Sequence, residues 1–290
     1  MDVKEILKRV RRIEIKSKRL TNHLFMGEYN SSFKGRGMIF SEVRPYQFGD
    51  DVRNIDWNKT AHFDEPYVKV FEEERENSLV LMVDVSGSQD FGTRKQSKKD
   101  TIAEICATLA FSALGNNDKV GLILFSDEVE VYLPPAKGRF HVLRIIRELV
   151  EYEPKSKKTS IPGGIDFLLK TQKRKSIVFL LSDFDDVDYK KSMNVAARKH
   201  KIVGIRLYDK IERNFPDMGF INMTDNETGK QQLINTSSRK VRKNFESYFQ
   251  KVSETFFTNL KNAGAGTIEI PTDGDYVKAL LNYFKRHKTA

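Results

Sequence analysis

Three short runs in this 290-residue chain are apolar almost throughout: LVLMVDV from Leu79, KVGLILF from Lys119 and SIVFLL from Ser176. Each has the length of a strand, and an unbroken apolar run of that length fits a strand buried on both faces. Helical spacing follows the first run, with Ile102, Ile105, Leu109 and Ala113 inside 100–114. Further helices are predicted over 140–150, 163–170, 190–200, 238–262 and 276–286, and further strands over 129–133, 202–207 and 267–270. Strand alternating with helix predicts a doubly wound, mostly parallel, Rossmann-like α/β sheet with helices on both faces.

Two stretches depart from that rhythm. Residues 1–75 begin with an amphipathic helix, its apolar Val3, Leu7, Val10 and Ile13 backed by a basic face, and continue into short strands around Ile39–Phe40, Val43 and Tyr67–Phe71. They read as an N-terminal helix and β-rich extension to an α/β domain over 76–290. Within that domain, about 211–236 reads as an inserted β-hairpin turning at Asp225-Asn226-Glu227-Thr228-Gly229, where glycine suits a positive φ.

Composition narrows the function classes. The 20 Phe and 10 Tyr supply too much burial drive for a disordered chain. Cys106 is the single cysteine, so neither an intrachain disulfide nor an all-cysteine metal site can form. No apolar stretch is long enough to span a bilayer, and the charged N-terminus lacks the apolar core of a signal peptide, so a cytoplasmic protein is expected. The net charge of +10 keeps two other partners open, nucleic acid and, through the basic N-terminal helix, a peripheral membrane contact. The aromatic and basic interleaving of RNA-binding sheets is absent, and no specific nucleic acid is expected.

In open α/β sheets ligands bind at the carboxyl ends of strands. Those ends carry Asp84-Val85-Ser86-Gly87-Ser88 after the first buried run and Ser182-Asp183 after the third, while Thr159 sits between a lysine-rich loop and a helix. Asp84, Ser86, Ser88, Thr159 and Asp183 together offer two carboxylates and three hydroxyls, with no imidazole and no thiol. That donor set suits a hard cation, Mg2+ first, with Mn2+ or Ca2+ as alternatives. Hydroxyl ligands are neutral, so a bound ion would stay electron-poor and attract a carboxylate from a partner.

The Asp-x-Ser-x-Ser, Thr and Asp pattern resembles the metal-ion-dependent adhesion site of von Willebrand factor type A domains. Over nearly the whole chain the sequence resembles the domain of unknown function 58 family. The likeness runs through Gly35-Arg36-Gly37, Phe40-Ser41-Glu42-Val43-Arg44-Pro45-Tyr46, Gly49-Asp50-Asp51-Val52-Arg53-Asn54-Ile55-Asp56-Trp57, Phe71-Glu72-Glu73-Glu74-Arg75, Phe125-Ser126-Asp127 and Ser182-Asp183-Phe184. Two positions depart from the pattern: Gln89 stands where many adhesion sites have Met, and His62 where the family often has Arg. The resemblance implies a type A-like domain with metal at the top of the sheet. It also implies an adaptor or chaperone-like role beside a MoxR-type AAA+ ATPase or its client.

Between positions 44 and 56, Arg44, Asp50, Asp51, Arg53 and Asp56 are dense enough for a local ion network, with Trp57 as its apolar anchor. The adjacent Asp50 and Asp51 read as caps rather than a carboxylate dyad. The leading function is thus a metal-dependent protein-binding module and not an enzyme. A Mg2+-dependent hydrolase or phosphotransferase is the alternative, since the same oxygens could activate water. Against it, the chain has no Gly-rich phosphate loop, Ser86 takes the place of the second Asp that aspartyl-phosphate chemistry favours, and His23, His62, His141, His200 and His287 sit in no triad context.

Overall fold

The computed structural model describes residues 11–15, 38–63, 65–73, 77–87, 97–186, 188–224 and 231–287. Most of the predicted N-terminal helix, Gly35-Arg36-Gly37, Ser88, Gln89 and the 225–229 turn therefore lie outside the described residues.

A six-stranded sheet forms the centre. In chain order its strands are β3 (Ser78–Asp84), β4 (Lys119–Phe125), β5 (Val129–Ala136), β6 (Ile177–Ser182), β7 (Lys201–Tyr208) and β10 (Gly266–Pro271). They lie side by side as β10-β7-β6-β3-β4-β5, all parallel except β5, which runs antiparallel to β4. Pro134 and Pro135 fall in β5, at the sheet edge, where a missing N–H donor costs no interior ladder bond.

The unbroken apolar runs have a direct cause. Leu79, Leu81 and Val83 of β3 face a layer made by the helices Lys98–Gly115 (α2), Arg139–Glu151 (α3) and Tyr276–Arg286 (α8). Val80 and Met82 face the opposite layer, made by Ile161–Thr171 (α4), Lys190–Lys199 (α5) and Arg239–Ala263 (α7). With side chains alternating across the pleat, a strand covered on both sides must be apolar at every position. The helix α2 is buried nearly all round, from Thr101 to Ala113, which is why its sequence carries so little polar punctuation. The described helical residues 11–15 join the first layer: Ile13 enters its core, and Glu14 meets Arg139 at 2.6 Å.

Two small ribbons flank this body. Strands β1 (Met38–Pro45) and β2 (Tyr67–Glu73) pair antiparallel, with a 3-10 turn at Val52–Asn54 and a one-turn helix, α1 (Trp57–Thr60), between them. After β7 the chain makes the short helix α6 (Lys210–Arg213), so the segment read as starting a hairpin at 211 starts helical. The hairpin itself is β8 (Phe220–Thr224) against β9 (Gln231–Asn235).

The chain leaves β3 for β4 on one side and returns to β6 on the other. The strand order therefore reverses between β3 and β6, the place where open α/β sheets bind their ligands. Asp84 ends β3 and Asp183 follows β6 at that point.

Candidate functional site

Asp84 is fully buried, and both of its carboxylate oxygens are engaged. Oδ1 accepts from the Ser86 backbone N–H at 2.9 Å, and Oδ2 accepts from the Ser182 hydroxyl at 2.7 Å. The turn after β3 is held on both sides: the Val85 N–H donates to the Phe125 carbonyl at 2.9 Å, and the Gly87 N–H to the Lys157 carbonyl at 3.0 Å. That second bond brings the loop before Thr159 against the Asp84 turn. Thr159 is fixed from behind by the Ser160 N–H, which donates to the Ser126 carbonyl at 2.9 Å, and by Ser160 itself, which caps α4 through the Gly163 N–H.

Asp183 comes from the end of the neighbouring strand, β6. Its carbonyl accepts from Arg206 Nε at 3.1 Å, and the buried Arg206 guanidinium is held in turn by Glu269 at 2.5 Å and lies over the Phe249 ring. Phe184, the next residue, has φ 58, a left-handed conformation uncommon for a bulky side chain. Its buried ring against Phe256 and Tyr189 holds the backbone in that turn. The loop then ties itself down: Asp186 accepts from the Ile161 N–H, and Tyr248 donates to Asp185 at 2.5 Å.

Electrostatics single out this place. Burial, and then the neighbouring charge of Asp183, push the Asp84 carboxyl up to about 7, against the pull of its Ser182 and Ser86 hydrogen bonds. A carboxylate held out of water beside a second negative charge is disfavoured in its ionised form. Nearby, the Thr159 hydroxyl is buried and has no hydrogen-bond partner in the protein. A divalent cation would answer both conditions, neutralising the carboxylates and taking the hydroxyl oxygen as a ligand. Asp84, Ser86, Thr159 and Asp183 are thus gathered at one end of the sheet, while Ser88 lies outside the described residues. Carboxylates alone would not make this site: among the described residues no group of three or more His, Cys, Asp or Glu is placed to hold a metal.

Three functional neighbours were not singled out from the sequence. Ser182 orients Asp84, Arg206 positions Asp183, and Lys98 reaches Asp183 from α2, its ammonium 4.0 Å from Oδ2. Ser182 had a signal, as the hydroxyl one place before the strand-end Asp. Lys98 had none, because the run Lys95-Gln96-Ser97-Lys98-Lys99 reads as a solvated surface.

The charged stretch near the N-terminus resolves differently from the single network expected. Arg44 makes two parallel bonds to Asp50, both 2.8 Å, Arg53 pairs with Asp51 at 3.1 Å, and Lys69 approaches Asp56 at 3.7 Å. These are separate pairs, because Asp51 and Asp56 are each committed to capping a helical turn. Trp57 is 69% exposed and anchors nothing. It sits at the first position of α1, and His62 is exposed as well.

Comparison with known proteins places the chain among uncharacterized relatives. The family described as "Protein of unknown function DUF58" matches residues 42–255. The uncharacterized protein Rv1480 of Mycobacterium tuberculosis is 24% identical over 277 residues, covering 94% of this chain and 87% of its own length. Among solved structures, the conserved hypothetical protein BatB from Bacteroides thetaiotaomicron is similar at a TM-score of 0.46 and 13% identity, over 73% of this chain and 98% of that one. The SpRpn10 VWA domain is similar at a TM-score of 0.40 and 11% identity, over 71% and 94%. Among the described residues no helix is long and apolar enough to cross a membrane.

Proposed function

We propose that this chain, which belongs to the DUF58 family, is a cytoplasmic, metal-dependent protein-binding module that grips an acidic group of its partner. One observation carries the reading: the unpartnered, buried Thr159 hydroxyl beside a turn whose Asp84 carboxyl is pushed up by burial and by Asp183. Asp84, Ser86, Thr159 and Asp183 would hold the ion, with Ser88 added from the sequence pattern, and Mg2+ suits these oxygens best. When bound, the cation supplies a positive centre that accepts a carboxylate oxygen from outside the chain. Ser182 and the Ser86 N–H hold the Asp84 carboxylate in one orientation. Arg206 fixes the backbone that presents Asp183.

Binding without turnover is part of the proposal, and three of the described histidines are held in structural positions. His141 is engaged with the Val120 carbonyl and His287 with that of Tyr283, and His200 is buried at the end of α5. The partner we favour, from the family resemblance, is a MoxR-type AAA+ ATPase or its client. The test is capture of the purified MoxR-type ATPase from the same genome, in Mg2+ and in EDTA. Capture in Mg2+ that disappears with EDTA and in Ser86→Ala is expected. Equal capture under all these conditions would overturn the proposal.

A further inference from the structure

Lys98 opens α2, and its side chain is only 2% exposed. A buried ammonium is costly unless it is paired and hydrogen-bonded. Its partner is Glu212, with Nζ 2.6 Å from Oε1, while Asp183 Oδ2 lies at 4.0 Å on the other side. Glu212 is itself held in place: its second oxygen, Oε2, accepts from the Asp209 N–H at 3.0 Å and closes the capping box of α6. The Asp209 side chain caps the same helix through the Ile211 N–H at 2.9 Å. The chain thus places an ammonium of its own beside one of the two carboxylates that a cation would need, and draws it back with a carboxylate anchored in another element.

We propose that the Lys98–Glu212 ion pair sets how tightly the Asp84–Asp183 site takes a divalent cation. Lys98 opposes the ion by like-charge repulsion across Asp183, and Glu212 favours it by holding the ammonium off that carboxylate. Both are positioning residues, acting through Asp183 without ligating. The inference rests on the metal-site reading above. It adds that affinity at this site is regulated from α6, the element that leads into the hairpin.

The experiment is a calorimetric titration of the full chain with Mn2+. It uses wild type, Lys98→Met, Glu212→Gln, the double variant and Asp84→Ala, each checked for a cooperative melt. Charges this close interact strongly enough for Lys98→Met to bind about tenfold tighter and Glu212→Gln about tenfold weaker. The double variant should bind within about threefold of Lys98→Met, since without the ammonium Glu212 has nothing to hold off. Shifts of opposite sign are the signature, because loss of structure would weaken every variant alike. Should Lys98→Met fail to fold, Glu212→Gln and the double variant still form a test, with the second binding more tightly than the first. Wild-type binding that is lost in Asp84→Ala but indifferent to Lys98 and Glu212 would overturn this inference alone. Identical binding by wild type and Asp84→Ala, or none by any variant, would overturn the metal site and this inference with it.

Discussion

The Ser182 hydroxyl donates to Asp84 Oδ2 at 2.7 Å, joining the ends of β6 and β3 across the point where the strand order reverses. The same hydroxyl oxygen accepts from the Phe184 N–H at 3.1 Å, so one side chain orients the Asp84 carboxylate and shapes the Asp183 turn. Removing it leaves a buried carboxylate and a buried N–H each short of a partner. Ser182→Ala is expected to cost about 1–3 kcal/mol in urea unfolding, the range for a buried group left unsatisfied. Unchanged stability would show that the bond contributes nothing.

Asp84 bears a cost in the absence of metal. Its carboxyl is raised to about 7 in the fold, by burial first and by Asp183 second, and stands near 4 in the unfolded chain. Between those values the native state holds the proton more firmly. The metal-free protein therefore loses stability on this group's account as pH rises from about 4 to about 7. Asp84→Asn has no such charge. In EDTA at about pH 8, above the raised value, Asp84→Asn should melt higher than wild type and should gain nothing from added Mg2+. A lower melting temperature than wild type would contradict the electrostatic account.

His200 acts with the opposite sign. It is buried with neither ring nitrogen hydrogen-bonded, and burial, then the charge of Lys199, lowers its pKa to about 4. The unfolded chain therefore takes up the proton first. Stability is fully present above the ordinary histidine value and falls as pH drops toward 4, by on the order of 3 kcal/mol in all. Because Asp84 acts over nearly the same range with the opposite sign, the comparison is made in Asp84→Asn, whose stability profile His200→Phe should flatten between these limits. A profile that His200→Phe leaves unchanged would rule out this histidine as a source of acid sensitivity.

Gly204, in the middle of β7, lets α7 and the Asp183 turn close onto the sheet. A methyl group there would lie 2.3 Å from Leu260 Cδ2, and 3.1 Å from both Phe184 Cζ and Phe256 Cε2. Leu260 can swing aside, but the two rings are packed on each other. Gly204→Ala is expected to destabilise by about 1–3 kcal/mol, as overpacked cores do. Because Phe184 follows Asp183, it should also weaken Mn2+ binding. A variant as stable as wild type would mean that the layer has more slack than its contacts imply.

The fold was legible because burial on both faces writes itself into sequence. The runs at Leu79, Lys119 and Ser176 are β3, β4 and β6 almost to the residue, and the last helix, Tyr276–Arg286, was predicted at its observed limits. The strand ends then marked Asp84 and Asp183 as residues that a switch point could bring together. Elements whose shape depends on a single cap were harder to read. The chain turns helical at Lys210 because Asp209 and Glu212 close a capping box, a local bond inside a stretch that otherwise reads as hairpin. Trp57 was misread because an aromatic residue amid charges suggests an anchor, whereas exposure depends on where a one-turn helix projects it. Lys98 was illegible for a deeper reason. A lysine is buried only when another part of the chain supplies its partner, and Glu212 stands 114 residues away.

The most direct measurement of the central claim is Mn2+ binding by Thr159→Val, set beside the stability of its metal-free form. The substitution keeps the shape and removes the unpartnered hydroxyl. If that oxygen waits for a cation, metal-free Thr159→Val should be no less stable than wild type, while Mn2+ affinity falls at least about tenfold, as expected when one oxygen ligand is lost. Wild-type affinity in Thr159→Val, or no Mn2+ binding by the wild-type chain, would contradict the account.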